Sequence, residues 1–168
     1  SVVHKESTIQ KVDHKLGRSG DLVFVTVLHE LKSQDGELLI SEEHDIVYKG
    51  PTPPAVGGKA VSPAPSTQFA RIFTPTSTTL FRYSALTFNG HRIHYDADYC
   101  RDIEGYANLV IHGPLNATLL ANYAEEVSHG RLVGFDYRGV SPALLGDSVT
   151  LGANVHGKCV SLQATLAN

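Results

Sequence analysis

The sequence predicts an α+β fold in which a curved antiparallel sheet wraps one long helix. Three observations predict it: a strand meander fills the first part of the 168-residue chain, one apolar-striped helix opens at Gly113-Pro114, and strand-like runs follow that helix. Length sets few limits, because a chain of this size buries a core without disulfides or metal.

Residues 7–16, 21–31 and 37–48 are rich in β-branched side chains, with glycine-containing breaks at 17–20 and 34–36, which favours strands over helices. Three antiparallel strands present an apolar side, and residues 1–50 contain no amphipathic helix to cover it. The cover is expected from later in the chain, from a second subunit, or from a stretch preceding residue 1. Methionine is absent even at position 1, which adds to the expectation that the native start lies upstream. Residues 50–66 (GPTPPAVGGKAVSPAPS) can neither propagate a helix nor sustain a ladder, and read as a linker. Beyond it, residues 79–87 alternate like a strand, and residues 95–101 suit a short helical turn capped by Asp96. The helix over about 113–127 places Leu115, Leu119, Leu120, Tyr123 and Val127 on one stripe, with proline where its missing N–H costs nothing. Residues 131–139, 148–155 and 158–166 read as strands, the last two joined by a tight turn at His156-Gly157.

Composition narrows the function classes. A net charge of −3 gives no electrostatic footprint for nucleic acid or an anionic membrane surface, and no apolar run is long enough to span a bilayer. Cys100 and Cys159 are far apart and read as unpaired packing thiols, as expected of an intracellular protein. No apolar signal segment opens the chain. Neither a phosphate-cradling loop nor a dinucleotide fingerprint occurs, so no cofactor is implied. Ser84, Ser141 and Ser148 lack a nucleophile-elbow context, and His91, His94, Asp96 and Asp98 lack a second cluster to complete a metal site.

Chemistry concentrates in residues 84–115 (SALTFNGHRIHYDADYCRDIEGYANLVIHGPL), which hold three of the nine histidines. His94 is read as following a strand and preceding the Asp96 cap, where rigid elements on both sides can aim an imidazole suited to proton transfer near neutrality. Asn89 can hold a water without carrying charge, or can simply serve the Asn-Gly turn. His112-Gly113-Pro114 starts the main helix, whose unpaired N–H groups and dipole can stabilise charge on a carbonyl oxygen. Gly113 lets a substrate approach the backbone. Glu125 and Glu126 lie late on the helix and read as solvated.

These residues resemble the hydratase motif of the MaoC-like hot-dog (R)-specific enoyl-CoA hydratases and 3-hydroxyacyl-thioester dehydratases. An acidic or amide residue, four residues, His-x-Asp, and later His-Gly map onto Asn89, His94, Asp96 and His112-Gly113, over roughly residues 67–168. The likeness is greatest to the subgroup with two fused halves, the type 2 hydroxyacyl-thioester dehydratases and mesaconyl-CoA hydratases, whose first half ends in a meander like GRSGDLVFVTVLHEL and SEEHDIVYKG. The resemblance implies three parts: a partial first half at 1–49 without its central helix, the linker at 50–66, and a hot-dog domain with the active site at 67–168. It also implies reversible addition of water to a 2-enoyl thioester of coenzyme A or an acyl-carrier protein, with His94 as base and Gly113 N–H as oxyanion donor. Many members place Asp where this chain has Asn89, so the proton is assigned to His94 and Asn89 is left to orient water. Arg92, where many relatives have proline, is a candidate contact for a substrate carboxylate or a coenzyme A phosphate. His112 and Asp96 complete the expected substrate-side residues. Paired halves or a homodimer are expected, in a bacterial cytoplasm or a mitochondrial matrix. Two other functions compete: a hot-dog thioesterase, which needs a carboxylate to drive attack on the carbonyl carbon, and a silent acyl-thioester-binding subunit, which Asn89 in place of Asp supports.

Overall fold

The computed structural model describes residues 2–17, 20–50 and 66–166. They fall into two compact units, Ser1–Pro53 and Pro54–Asn168. Most of the expected linker, residues 51–65, and residues 18–19 of the first expected turn lie outside the described residues.

The first unit is an antiparallel meander of β1 (Val3–Gly17), β2 (Gly20–Ser33) and β3 (Leu38–Lys49), in that order across the sheet. Its register follows from the period-two alternation of side chains. Val12, Val25 and Ile46 stand opposite one another on one face, while Phe24 faces Asp13 and Val47 on the other. The β2–β3 turn closes through Ser33 N–H donating to Glu37 O at 2.8 Å, and Gly36 adopts φ +85°, which a side chain would resist. None of the described residues of this unit is buried.

The second unit contains β4 (Phe69–Phe73), α1 (Ser77–Thr87), a 3-10 turn (Arg92–His94), α2 (Ala97–Asp102), α3 (Gly113–Ser128), β5 (Val149–His156) and β6 (Cys159–Leu166). The strands form an antiparallel sheet in the order β4-β5-β6, and α3 packs on β5 and β6. As the sequence stripe requires, Leu115, Leu120 and Tyr123 are buried with Val149, Leu151 and Ala153 from β5, while Leu119 and Val127 sit at the margin. Each fully buried side chain of this kind stabilises the unit by about 1.5–3 kcal/mol. Asp96 caps α2 by accepting the Tyr99 N–H at 2.9 Å, and Pro114 stands in the first turn of α3, both where the sequence put them.

Three expectations are corrected. Residues 79–87 are not a strand but belong to helix α1. Thr76 and Thr79 form a reciprocal capping box, and Leu80 and Ser84, one turn apart, are the buried pair. Residues 131–139 form no strand; this stretch is irregular, with Leu132 N–H held by the Glu125 carboxylate at 2.8 Å. The hairpin turn is one residue later than expected: His156 pairs with Cys159, so Gly157 and Lys158 make the corner, with Gly157 at φ +60°. The short strand β4 had no counterpart in the sequence reading.

Candidate active site

His94 follows helix α1, not a strand, and lies in the 3-10 turn; its side chain is only 7% exposed. Its Nδ1 is 2.8 Å from the carbonyl oxygen of Val110, which can only accept, so Nδ1 carries the proton. In the neutral ring Nε2 is then the unprotonated, basic nitrogen. Burial pushes the pKa of His94 below its ordinary value; the Val110 carbonyl opposes this, and His91, whose ring meets it edge-on at 5.8 Å, adds to it.

The ring of His112 stacks on that of His94, with centroids 3.6 Å apart and planes within 16°. Tyr83 closes on His112 edge-first at 4.9 Å, and Ser84 Oγ lies 2.9 Å from His112 Nε2. Fully buried, His112 is held neutral, its pKa pushed down to about 4, first by desolvation and then by the neighbouring His94. Its Nδ1 has no hydrogen-bond partner among the described residues.

His112 is also the N-cap of α3, and its side chain makes no capping bond. Leu115 and Asn116 N–H turn back to the His112 carbonyl, whereas Gly113 N–H is free of partners among the described residues. Apart from its chain neighbours and its own helix backbone, a Cβ built at Gly113 would meet no described atom within 4 Å, so the space over its Cα is open. An imidazole base therefore stacks on the residue that precedes a free helix-start N–H, an arrangement able to move a proton and to stabilise an oxyanion at one place.

The other expected residues are differently engaged. Asn89 Oδ1 accepts the His91 N–H at 3.0 Å, an Asx-type turn, and its NH2 makes no bond among the described residues. Arg92 is exposed, donates from Nε and Nη2 to Asp96 Oδ2 at 3.1 and 2.7 Å, and lies 4.2 Å over the Tyr99 ring. Asp96 therefore serves both as α2 cap and as the partner of Arg92, and the Tyr99 N–H first, then the Arg92 guanidinium, keep its carboxyl below the usual range. Glu126 pairs with Arg71 of β4 on the surface.

Sequence reasoning missed three contributors. Val110 supplies a main-chain oxygen, which leaves no residue-type signature. Ser84 had been set aside for want of a nucleophile context, and its role here is to hold His112. Asn116, 9% exposed and one turn beyond His112, was not singled out; its Oδ1 is buried without a partner among the described residues. A polar side chain inside an apolar stripe was the available signal.

A family model described as hydroxyacyl-thioester dehydratase type 2 matches residues 1–145. The chain is 40% identical over 161 residues to mesaconyl-C(4)-CoA hydratase of Chloroflexus aurantiacus, covering 95% of this chain and 57% of that protein. It is 32% identical over 130 residues to the mitochondrial hydroxyacyl-thioester dehydratase type 2 of Schizosaccharomyces pombe, covering 76% and 43%. The chain thus spans about half the length of the curated relatives it matches. Among solved structures, a MaoC-like dehydratase from Phytophthora capsici superposes with a TM-score of 0.64 at 14% identity, covering 98% of this chain and 59% of that one. Peroxisomal multifunctional enzyme type 2 of Drosophila melanogaster gives 0.63 at 15% identity, covering 98% and 30%. The structural likenesses establish the hot-dog fold, and the sequence matches establish that the chain belongs to the hydroxyacyl-thioester dehydratase type 2 family.

Proposed function

We propose that the chain acts as a hydro-lyase that reversibly hydrates a 2-enoyl thioester, equivalently dehydrating a 3-hydroxyacyl thioester, carried on coenzyme A or an acyl-carrier protein. One observation carries this reading: His94, its Nδ1–H held by Val110 O, keeps a basic Nε2 and stacks on the residue before the free Gly113 N–H. In hydration His94 Nε2 takes a proton from water as the water oxygen bonds to the β-carbon. The alkene electron pair shifts toward the thioester carbonyl, whose developing oxyanion is bound by Gly113 N–H. The α-carbon then takes the proton and the carbonyl re-forms; dehydration runs the same path backwards.

Asn89, with its oxygen turned to His91 N–H, offers its NH2 to the attacking water. His112 supports the base from beneath. Arg92 keeps donors beyond those given to Asp96, and these suit a carboxylate or a coenzyme A phosphate. The family match and the bare meander support reading residues 1–49 as a partial first half and 67–168 as the domain with the site. Pairing of hot-dog halves, or of two copies, follows from the same reading. No helix among the described residues is long and apolar enough to cross a membrane, and the relatives named above come from a bacterium and a mitochondrion; a bacterial cytoplasm or a mitochondrial matrix is the compartment we infer.

Loss of the enoyl absorbance of crotonyl-CoA tests the reaction. His94→Ala is expected to slow it by about 10²–10⁴-fold, the usual contribution of a positioned proton-transfer group. An undiminished rate in that variant would refute the assignment, and release of free thiol instead would replace it with thioester hydrolysis.

A further inference from the structure

Ser84 stands on the buried side of α1, one turn after the fully buried Leu80, and is itself 8% exposed. Alanine would pack on such a face without cost, whereas a hydroxyl withdrawn from water is tolerated only where it finds a partner. Its partner is His112 Nε2, 2.9 Å from Ser84 Oγ. The main chain of the same residue reaches the other side of the site, where Ser84 O accepts the Asn89 N–H at 2.9 Å.

The stacked imidazoles of His94 and His112 are thus each pinned by one hydrogen bond. His94 is held at Nδ1 by Val110 O, and His112 at Nε2 by Ser84 Oγ. Because His112 Nδ1 has no partner among the described residues, the serine is the polar hold on that ring. Tyr83 meets the ring edge-first at 4.9 Å, a contact that resists displacement but lacks the direction of a hydrogen bond. A hydroxyl both donates and accepts, so the hold persists in either neutral tautomer of His112.

We propose that Ser84 is a positioning residue for the base: its hydroxyl fixes the ring of His112 and, through the stack, the direction in which His94 Nε2 points. This rests on the thioester reading above. A base moved slightly off line loses rate more than affinity, because the error is felt where the proton is transferred. The substrate meets the same surfaces before and after such a shift.

Ser84→Ala removes the hydroxyl and leaves the main-chain bond to Asn89 in place. In this variant kcat for crotonyl-CoA hydration is expected to fall about tenfold with KM within about twofold, the size of one buried hydrogen bond. Ser84→Thr, which keeps the hydroxyl, is expected to recover most of the loss. The pH profile supplies a readout that packing alone would not move. His94 must be neutral to accept a proton, so activity falls as pH drops through its pKa, which burial holds below the ordinary value. A loosened stack admits water, raises that pKa and moves the acid limb of the Ser84→Ala profile to higher pH. The titratable groups around the two rings and the turn are His91 beside His94, Tyr83 on α1 and Cys100 on α2, and the substitution alters none of them. Titration of the His94 ring by nuclear magnetic resonance reads the same shift without substrate. A wild-type chain that hydrates nothing, with the His94 titration moved in Ser84→Ala, would end the hydro-lyase reading and leave the positioning role standing. An unchanged kcat in Ser84→Ala, or a His94 titration that stays where it was, would overturn the role.

Discussion

Sheets β1-β2-β3 and β4-β5-β6 are both three-stranded and antiparallel, yet among the described residues only the second carries a helix against it within its own unit. In the first, Ile9, Val12 and Val47 remain more than half exposed, and the ladder rests on hydrogen bonds and cross-strand pairs. In the second, Val149, Leu151 and Ala153 are almost fully buried under α3. Hydrogen bonds complete a sheet's ladder, but apolar burial provides most of its stability. Both histidines with imposed pKa values also lie in the second unit, because only a packed interior can hold a neutral ring away from water.

That contrast can be broken by mutation. Leu120→Ala in α3 should cost about 2–5 kcal/mol in denaturant unfolding, through the cavity it leaves in the core. Val12→Ala, at a position 62% exposed, should cost under about 0.5 kcal/mol. Similar costs at the two positions would show that the meander is as well packed as the helix-backed sheet.

Acid sharpens the same contrast. His112 titrates at about 4 in the folded chain and returns to its ordinary 6.5 on unfolding. Between these values the unfolded chain binds a proton that the folded one excludes, so stability declines as pH falls through this window and the effect is complete below it. The slope is at most about 1.4 kcal/mol per pH unit for this one group. Unfolding measured across pH 4–7 should show the decline in the wild-type chain and a flatter profile in His112→Gln; superimposable profiles would remove His112 as the source.

A more modest effect concerns helix ends. Phe88 closes α1 in the left-handed region at φ 53° while 97% exposed, so among the described residues its ring finds no packing in return for the strain. Phe88→Gly should raise stability by about 1 kcal/mol, read as an upward shift in Tm. A loss would indicate that the ring has a contact in solution that the isolated chain does not show.

What the sequence disclosed follows a physical pattern. Helix α3 was legible because Pro114, the following stripe and the β-strands beyond it all agree, and the cap of α2 because Asp96 is a preferred N-cap residue just ahead of the helical run. The meander was legible from period-two alternation over long strands. Residues 79–87 misled because Leu80, Phe81, Tyr83, Ala85 and Leu86 satisfy both periods across so short a run, and only the Thr76–Thr79 box decides between them. Residues 131–139 have strand-like composition but, among the described residues, no neighbouring strand to pair with. His94 and Gly113 were nameable as candidates, whereas their support was not: stacking between residues 94 and 112, and a carbonyl at 110, depend on chain path.

Val110 shows where that dependence leads. Its carbonyl oxygen accepts the Nδ1–H of His94 and its N–H donates to Ile93 O at 2.9 Å, so one residue of backbone clamps the turn on both sides. No side chain supplies the acceptor that orients the base, and replacing residue 110 by another apolar residue leaves that acceptor in place. Point substitutions there are therefore expected to leave the acceptor in place, whereas a change in the number of residues between 94 and 110 would act on the position of the carbonyl itself.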